Sequence, residues 1–221
     1  MRIIDLSHPL EHGVPTIPGF PLPEMSHHIT YEESRQLIGA GRCFAIDRIG
    51  MIGGSSTYMD APRHFDPEGS DIADLDIARL IDLEVTVVPR PRGSRREYHS
   101  GDFEGLPLEG RAVLLATGKD QDWATPAYEK NAPYLGGEAA HLLVDAGVSL
   151  VGIDAILIDD HEDTVLPERE AHASLLSAGI PIIENMTRLE ALPTEGARLT
   201  AVPPAVRGVG SFPVRVFALC S

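Results

Sequence analysis

Aspartate, glutamate and histidine are the side chains that move protons and hold metals, and two stretches of this chain carry them at short spacings. The first is GGSSTYMDAPRHF, residues 53–65, where Asp60 and His64 flank Pro62. Proline locks its own backbone and restricts Ala61 before it. The stretch is therefore read as a stiff loop that aims Asp60 and His64 in fixed directions without a helix. Asp suits the role of ligand or orienter, and His is the natural acid/base near neutral pH. On spacing alone, a surface turn with an incidental Asp and His competes with this reading.

The second is EAHASLLSAGIPIIENMTRLEAL, residues 170–192, with His172 near the start of a helical run. Glu184 directly follows the apolar run Ile180-Pro181-Ile182-Ile183. A carboxylate placed there is costly unless it is paired or liganded. Strand ends also commonly hold catalytic groups in α/β architectures. A helix-start histidine and a carboxylate capping the next turn are the plainer alternative.

The elements that must position these groups can be read from apolar periodicity. Residues 3–6 form a short strand ending at Ser7-His8-Pro9. Gly13, Pro15, Pro18, Gly19, Pro21 and Pro23 then demand extended loop. Residues 44–49 partly alternate, as a half-buried strand does, and 83–88 and 112–116 are Val- and Leu-rich strands. Residues 137–146 have a helical pattern stopped by Gly147, and 170–178 a second one closed by Gly179. Residues 149–153, 180–183, 199–202 and 214–219 complete the strands. Strands mixed with few helices, without a regular βαβ repeat, give an α/β or α+β class with a mixed sheet.

Composition bounds the rest. With 221 residues, 43% hydrophobic and 23% charged, the chain is expected to form one domain, residues 1–221, burying about 70% of its unfolded surface. It needs no disulfide: Cys43 and Cys220 are the two cysteines and have no metal spacing. A net charge of -15 repels phosphate backbones and anionic lipid, so neither nucleic acid nor a membrane surface is an expected partner. The N-terminal segment lacks the apolar run of a signal peptide. The longest apolar stretch, residues 142–158, is broken by Asp145 and Asp154 and is too short to span a bilayer. A cytoplasmic location is the default expectation.

Several motifs in order carry a resemblance to a known family. The opening DLSHPLEHGVPTIPG, the stretch STYMDAPRHF, then VGIDAILID and AHASLLSAGIPIIEN resemble the cyclase family that includes bacterial kynurenine formamidase and isatin hydrolase. The likeness runs nearly end to end. It implies the swivelling β/β/α cyclase-like fold, a homodimer or homotetramer, and a small-molecule substrate. It places an aspartate ligand at Asp60, a catalytic histidine at His64, and later ligands at His172 and Glu184. The family's loop pattern is H-x-G-T-H-x-D-x-P-x-H, and here its first two histidines are Gly54 and Tyr58. Its Gly is Ser56, and its Thr is kept as Thr57.

Glycine has no side chain to bind with, and a tyrosine phenol, pKa about 10, rarely serves zinc. Asp60, His172 and Glu184 remain as one nitrogen and two carboxylates, a harder set than a zinc site and suited to manganese or magnesium. His8, His27, His28 and His161 are further nitrogen donors that the sequence does not place. The cofactor is thus either one divalent metal, manganese or zinc, or none.

Three functions follow. The first is hydrolysis of an amide, formamide or lactam C–N bond, with a metal lowering the pKa of a bound water and His64 shuttling the proton. The second is a metal-independent cyclase, dehydratase or isomerase, with His64 as general base and the Tyr58 hydroxyl aimed at developing negative charge. The third is a non-catalytic binding relative. Phe20 stands near the expected pocket mouth, where relatives carry a polar residue, and would make it more apolar. Lys119 and Arg63 are the cationic candidates for a substrate carboxylate.

Overall fold

The computed structural model describes residues 1–39, 41–90, 93–162 and 169–220. Along the chain run β1 (Arg2–Asp5), β2 (Glu24–Ile29), α1 (Tyr31–Ile38), β3 (Ile46–Gly50), β4 (Tyr58–Asp60) and β5 (Leu83–Pro89). They are followed by β6 (Glu97–Tyr98), β7 (Ala112–Ala116), β8 (Tyr134–Leu135), α2 (Gly137–Asp145) and β9 (Leu150–Ile153). The last are α3 (Glu170–Ser177), β10 (Ile182–Glu184), β11 (Ala197–Ala201), β12 (Ser211–Pro213) and β13 (Val216–Cys220).

Among the described residues, nine strands form one sheet in the order β1-β13-β11-β5-β7-β9-β10-β4-β12. The centre is parallel, β5 to β7 to β9 to β10, and both flanks are antiparallel. The mixed sheet expected from the pattern is therefore present. β7, AVLLA, is buried at every position, as a strand covered on both faces must be. Alternation sorts its side chains. Ala112, Leu114 and Ala116 join the cluster of Ile4, Leu6, Met59, Ile183, Leu199 and Val216 on one face. Val113 and Leu115 join Leu143, Val151, Leu175 and Ile182 on the other, under α2 and α3. The two helices are closed as expected, by Gly147 and Gly179 at φ of 70° and 72°, a region open to glycine at little cost.

That alternation positions the chemistry. On β10, Ile183 faces the first cluster and Ile182 the helix side, so Glu184, two residues on, also faces the helix side. On β4, Met59 faces the first cluster, which turns Tyr58 and Asp60 toward α3.

Two expectations are corrected. Residues 58–60 are strand, not loop: β4 pairs with β10 on one side and β12 on the other, and is fully buried. Only the turn after it, the 3-10 segment Pro62–His64, has the stiff character expected from proline. The loop expected over the Pro-rich run to Pro23 is present and leads into β2, which pairs with β3 in a separate two-stranded ribbon. β3 is exposed throughout rather than half-buried. Helix α1 joins the two strands, and its capping box of Thr30 and Glu33 was a sequence signal for its start.

Candidate metal centre and cleft

Two strand ends, one helix start and one turn converge. Tyr58 and Glu184 sit directly opposite each other in the β4–β10 register, and Ser211 sits opposite Asp60 in the β4–β12 register. His172 comes from the first turn of α3 and is 2% exposed, while Asp60 and Glu184 are at 0%. Ligating atoms of Asp60, His64 and His172 lie within 4.8 Å of one another. His172 Nε2 is 3.7 Å from Asp60 Oδ2 and 3.4 Å from Glu184 Oε1. The structure thus brings together all four acidic and imidazole residues singled out in the sequence. It groups His64 with Asp60 and His172, with Glu184 beside the set.

Hydrogen bonds distinguish the two buried carboxylates. Glu184 Oε2 accepts from the Tyr58 hydroxyl, and Oε1 accepts from the Ile158 amide at 2.6 Å. Asp60 Oδ1 accepts from the Ser211 hydroxyl, but Oδ2 is buried without a hydrogen-bond partner. A buried carboxylate oxygen left alone is costly unless something cationic completes it. Ser211 Oγ is also 3.0 Å from His64 Nδ1. Since that hydroxyl donates to Asp60, His64 must donate from Nδ1, which leaves Nε2 with a free lone pair. His172 Nδ1 is held by Asp159, whose carboxylate also accepts from the Ala171 amide at 2.9 Å. Nε2 of His172 therefore faces the carboxylates.

Electrostatics follow from this packing. Burial alone would lower the pKa of His172, but Glu184, the Asp159 hydrogen bond and Asp60 outweigh it and raise it. Burial raises the Glu184 carboxyl, against the pull of His172. Burial lowers His64, with Asp60 opposing, and it lifts the Tyr58 phenol well above its ordinary range.

The donor chemistry fits a divalent cation. Two imidazoles and a carboxylate form the nitrogen–oxygen set of catalytic zinc, manganese or iron sites that leave positions open, and the orphaned Asp60 Oδ2 supplies the unmet demand. A cation there would require the neutral imidazole of His172, as metals do of their histidine ligands.

The centre borders a cleft of about 1100 Å³ whose lining includes Tyr58, His64, His172 and Ser211. Phe20, Met51, Ile52, Phe65, Leu157 and Phe212 make it largely apolar, with Arg63, Arg169 and His161 as its cationic and imidazole groups. Phe65 stacks on His172 with ring centroids 5.1 Å apart.

Phe20 lies in the wall of the cleft. Lys119 does not: it is buried, pairing with Asp122 and donating to the Ala127 and Lys130 carbonyls. The Tyr58 hydroxyl, expected to face developing charge, is committed to Glu184. His27 pairs with Asp47 on the ribbon, and His8 stacks on Trp123 at 4.1 Å. Asp159, Arg169 and Ser211 were missed. Asp159 ends an apolar run just as Glu184 does, and that was a usable signal. Nothing local marks Ser211, 151 residues from Asp60.

A mixed sheet, with a buried carboxylate–imidazole centre at its strand ends and a largely apolar cleft beside it, defines an α/β protein with a candidate metal centre. Residues 4–160 match the family described as "Putative cyclase", and the chain belongs to that family. It is 30% identical over 219 residues to the kynurenine formamidase of Bacillus cytotoxicus, covering 96% of this chain and 94% of the relative. An isatin hydrolase bound to the product analogue thioisatinate superposes with a TM-score of 0.83 at 20% identity, over 98% of this chain and 91% of that one. A potential metal-dependent hydrolase with cyclase activity gives 0.76 at 25% identity, over 98% and 96%. The swivelling β/β/α arrangement implied by the sequence motifs is the fold these structures share.

Proposed function

We propose that this protein hydrolyses an amide, formamide or lactam C–N bond of a small molecule, using one divalent metal. The single observation that carries the reading is the unpartnered, buried Asp60 Oδ2, in a residue whose donor atoms and those of His64 and His172 lie within 4.8 Å of one another at the edge of the cleft. Kynurenine formamidase among its relatives supports the C–N bond as target, and a metal-dependent hydrolase among its structural neighbours supports the metal.

Asp60, His64 and His172 would hold the cation. Bound there, it would polarise the substrate carbonyl and lower the pKa of a water. Asp159 fixes the His172 ring so that its Nε2 faces the carboxylates, and Ser211 ties His64 Nδ1 to Asp60. Glu184, with Oε1 3.4 Å from His172 Nε2, would take a proton from the attacking water and return it to the leaving nitrogen. The apolar wall around Phe20 and Phe212 binds an aromatic or alkyl body and excludes water from the reacting bond. Arg169 and Arg63 offer charge to a substrate carboxylate.

Elemental mass spectrometry of protein purified without added metal, alongside Asp60→Ala, tests this. About one equivalent of zinc or manganese in the wild type and none in the variant is expected, with N-aryl formamide hydrolysis lost on exhaustive chelation. Hydrolysis that survives chelation would overturn it and select a second reading, metal-independent acid/base chemistry. The Ser211 bridge from Asp60 to His64 favours that reading, because it orients His64 as a base would be oriented.

The protein is further read as a cytoplasmic homodimer or homotetramer. A two-stranded ribbon is marginal in water on its own. The ribbon of β2 and β3, with α1, exposes Met25, Tyr31, Leu37, Ile38, Ile46 and Ile49. Light scattering would show a monomer if this reading is wrong.

A further inference from the structure

The two buried carboxylates of the centre are treated differently by their surroundings, and the difference lies in residue 58. Asp60 keeps one oxygen, Oδ2, free of any hydrogen bond. Glu184 keeps none: Oε2 is taken by the Tyr58 hydroxyl and Oε1 by the Ile158 amide. The Tyr58 contact is built into the register. The two residues are directly opposed on antiparallel β4 and β10, where side chains on one face of the pair lie side by side. The phenol is 4% exposed and points at the carboxylate from within the sheet layer.

Gly54 completes the arrangement. A Cβ there would come within 3.3 Å of the Tyr58 Cζ, tighter than ordinary contact, and its other neighbours would also be atoms of the Tyr58 ring. The backbone at Gly54 is not left-handed, so its glycine answers to the ring's need for space and not to a turn. Residues 54 and 58 work as a pair, one vacating the volume the other fills.

We propose that Tyr58 is a positioning residue that holds Glu184 out of the cation's ligand set, so that the centre has three protein donors and Glu184 stays available as its proton carrier. This rests on the metal-dependent reading above. For Glu184 to coordinate through Oε2, the Tyr58 hydroxyl would have to give up its buried partner, and a buried hydroxyl left unpaired is unfavourable. The hydrogen bond thus trades cation affinity for a carboxylate outside the ligand set, its Oε1 3.4 Å from His172 Nε2.

The test is calorimetric titration of Mn²⁺ into metal-stripped wild type, Tyr58→Phe, and the double variant Tyr58→Phe/Glu184→Gln. Phenylalanine fills the same volume, and thermal melts would verify that the fold is kept. Tyr58→Phe is expected to bind Mn²⁺ about tenfold tighter or more, the scale of one released hydrogen bond, and to turn over more slowly. Adding Glu184→Gln should return the affinity to the wild-type value, because an amide is a poor ligand. A role in packing alone would not tighten binding. Tyr58→Phe binding no tighter than wild type, including the case where neither binds, overturns the proposal. Asp60→Ala in the same series separates the two ideas. If it leaves Mn²⁺ binding intact, the metal centre of the proposed function fails, while the ratio of Tyr58→Phe to wild type still reads this inference.

Discussion

His172 rests its Nδ1 on the carboxylate of Asp159, 13 residues earlier in the chain, and that contact decides which nitrogen the imidazole offers to the centre. Partners of this kind set tautomer and basicity, and their loss typically weakens metal binding about 10–100-fold. Asp159→Asn should do so here in a Zn²⁺ or Mn²⁺ titration, with the fold retained. The amide can still accept from the Ala171 backbone but no longer carries the charge. Unchanged affinity would show that α3 packing alone orients the ring.

Ser211 makes a parallel prediction for His64. Its hydroxyl donates to Asp60 and meets His64 Nδ1 at 3.0 Å. Ser211→Ala leaves a second Asp60 oxygen without a donor and frees the His64 ring to rotate. A drop in kcat of about tenfold, the scale of one charge-assisted hydrogen bond, is expected, with recovery in Ser211→Thr. Equal activity in the alanine variant would remove Ser211 from the site.

Gly210 is held by proximity rather than by backbone angle. A Cβ there would meet His64 N at 2.5 Å and Cα at 2.6 Å. Gly210→Ala must therefore push the Pro62–His64 turn away. Overpacking of this kind costs about 1–3 kcal/mol, and the displaced turn carries His64 with it. Denaturant melts should show the destabilisation and metal titration a weakened centre. Wild-type behaviour in both would show that the β12 approach yields instead.

Trp123, the one tryptophan of the chain, reports on His8. Their rings stack with centroids 4.1 Å apart and planes 7° from parallel. Burial pushes the His8 pKa down from 6.5 to about 4, with Asp120 opposing. The sign follows from linkage. Between those values the unfolded chain binds the proton and the folded one does not, so this residue makes stability rise with pH from about 4 to 6.5. Urea melts of wild type and His8→Phe should converge at neutral pH and diverge on acidification, the variant being less acid-sensitive. Trp123 emission should titrate with a midpoint near 4 rather than 6.5. A midpoint at the higher value would show that the ring is open to water.

Much of the frame was legible in the amino acids. The all-apolar run of β7 is buried on both faces, and the glycines that end α2 and α3 were readable from the pattern because these are local properties of backbone and burial. So were Asp60, His64, His172 and Glu184, whose types and short-range spacing match a family motif. Strand β4 was not, because GGSSTYMD has the composition of a turn. Its extended form is imposed by β10 and β12, which hydrogen-bond to it from both sides.

What the sequence by itself determined is which residues are able to do chemistry and, through alternation along each strand, which of them share a face. What only the tertiary structure decided is who meets whom. Tyr58 and Glu184 are 126 residues apart, and Ser211 and Asp60 are 151 apart. Periodicity is a short-range property of one strand, whereas register is set by pairing between distant strands. That pairing sets Tyr58 on Glu184, the Ile158 amide adds a second donor, and Asp60 Oδ2 is left with none, a difference that two carboxylates in a linear sequence cannot display.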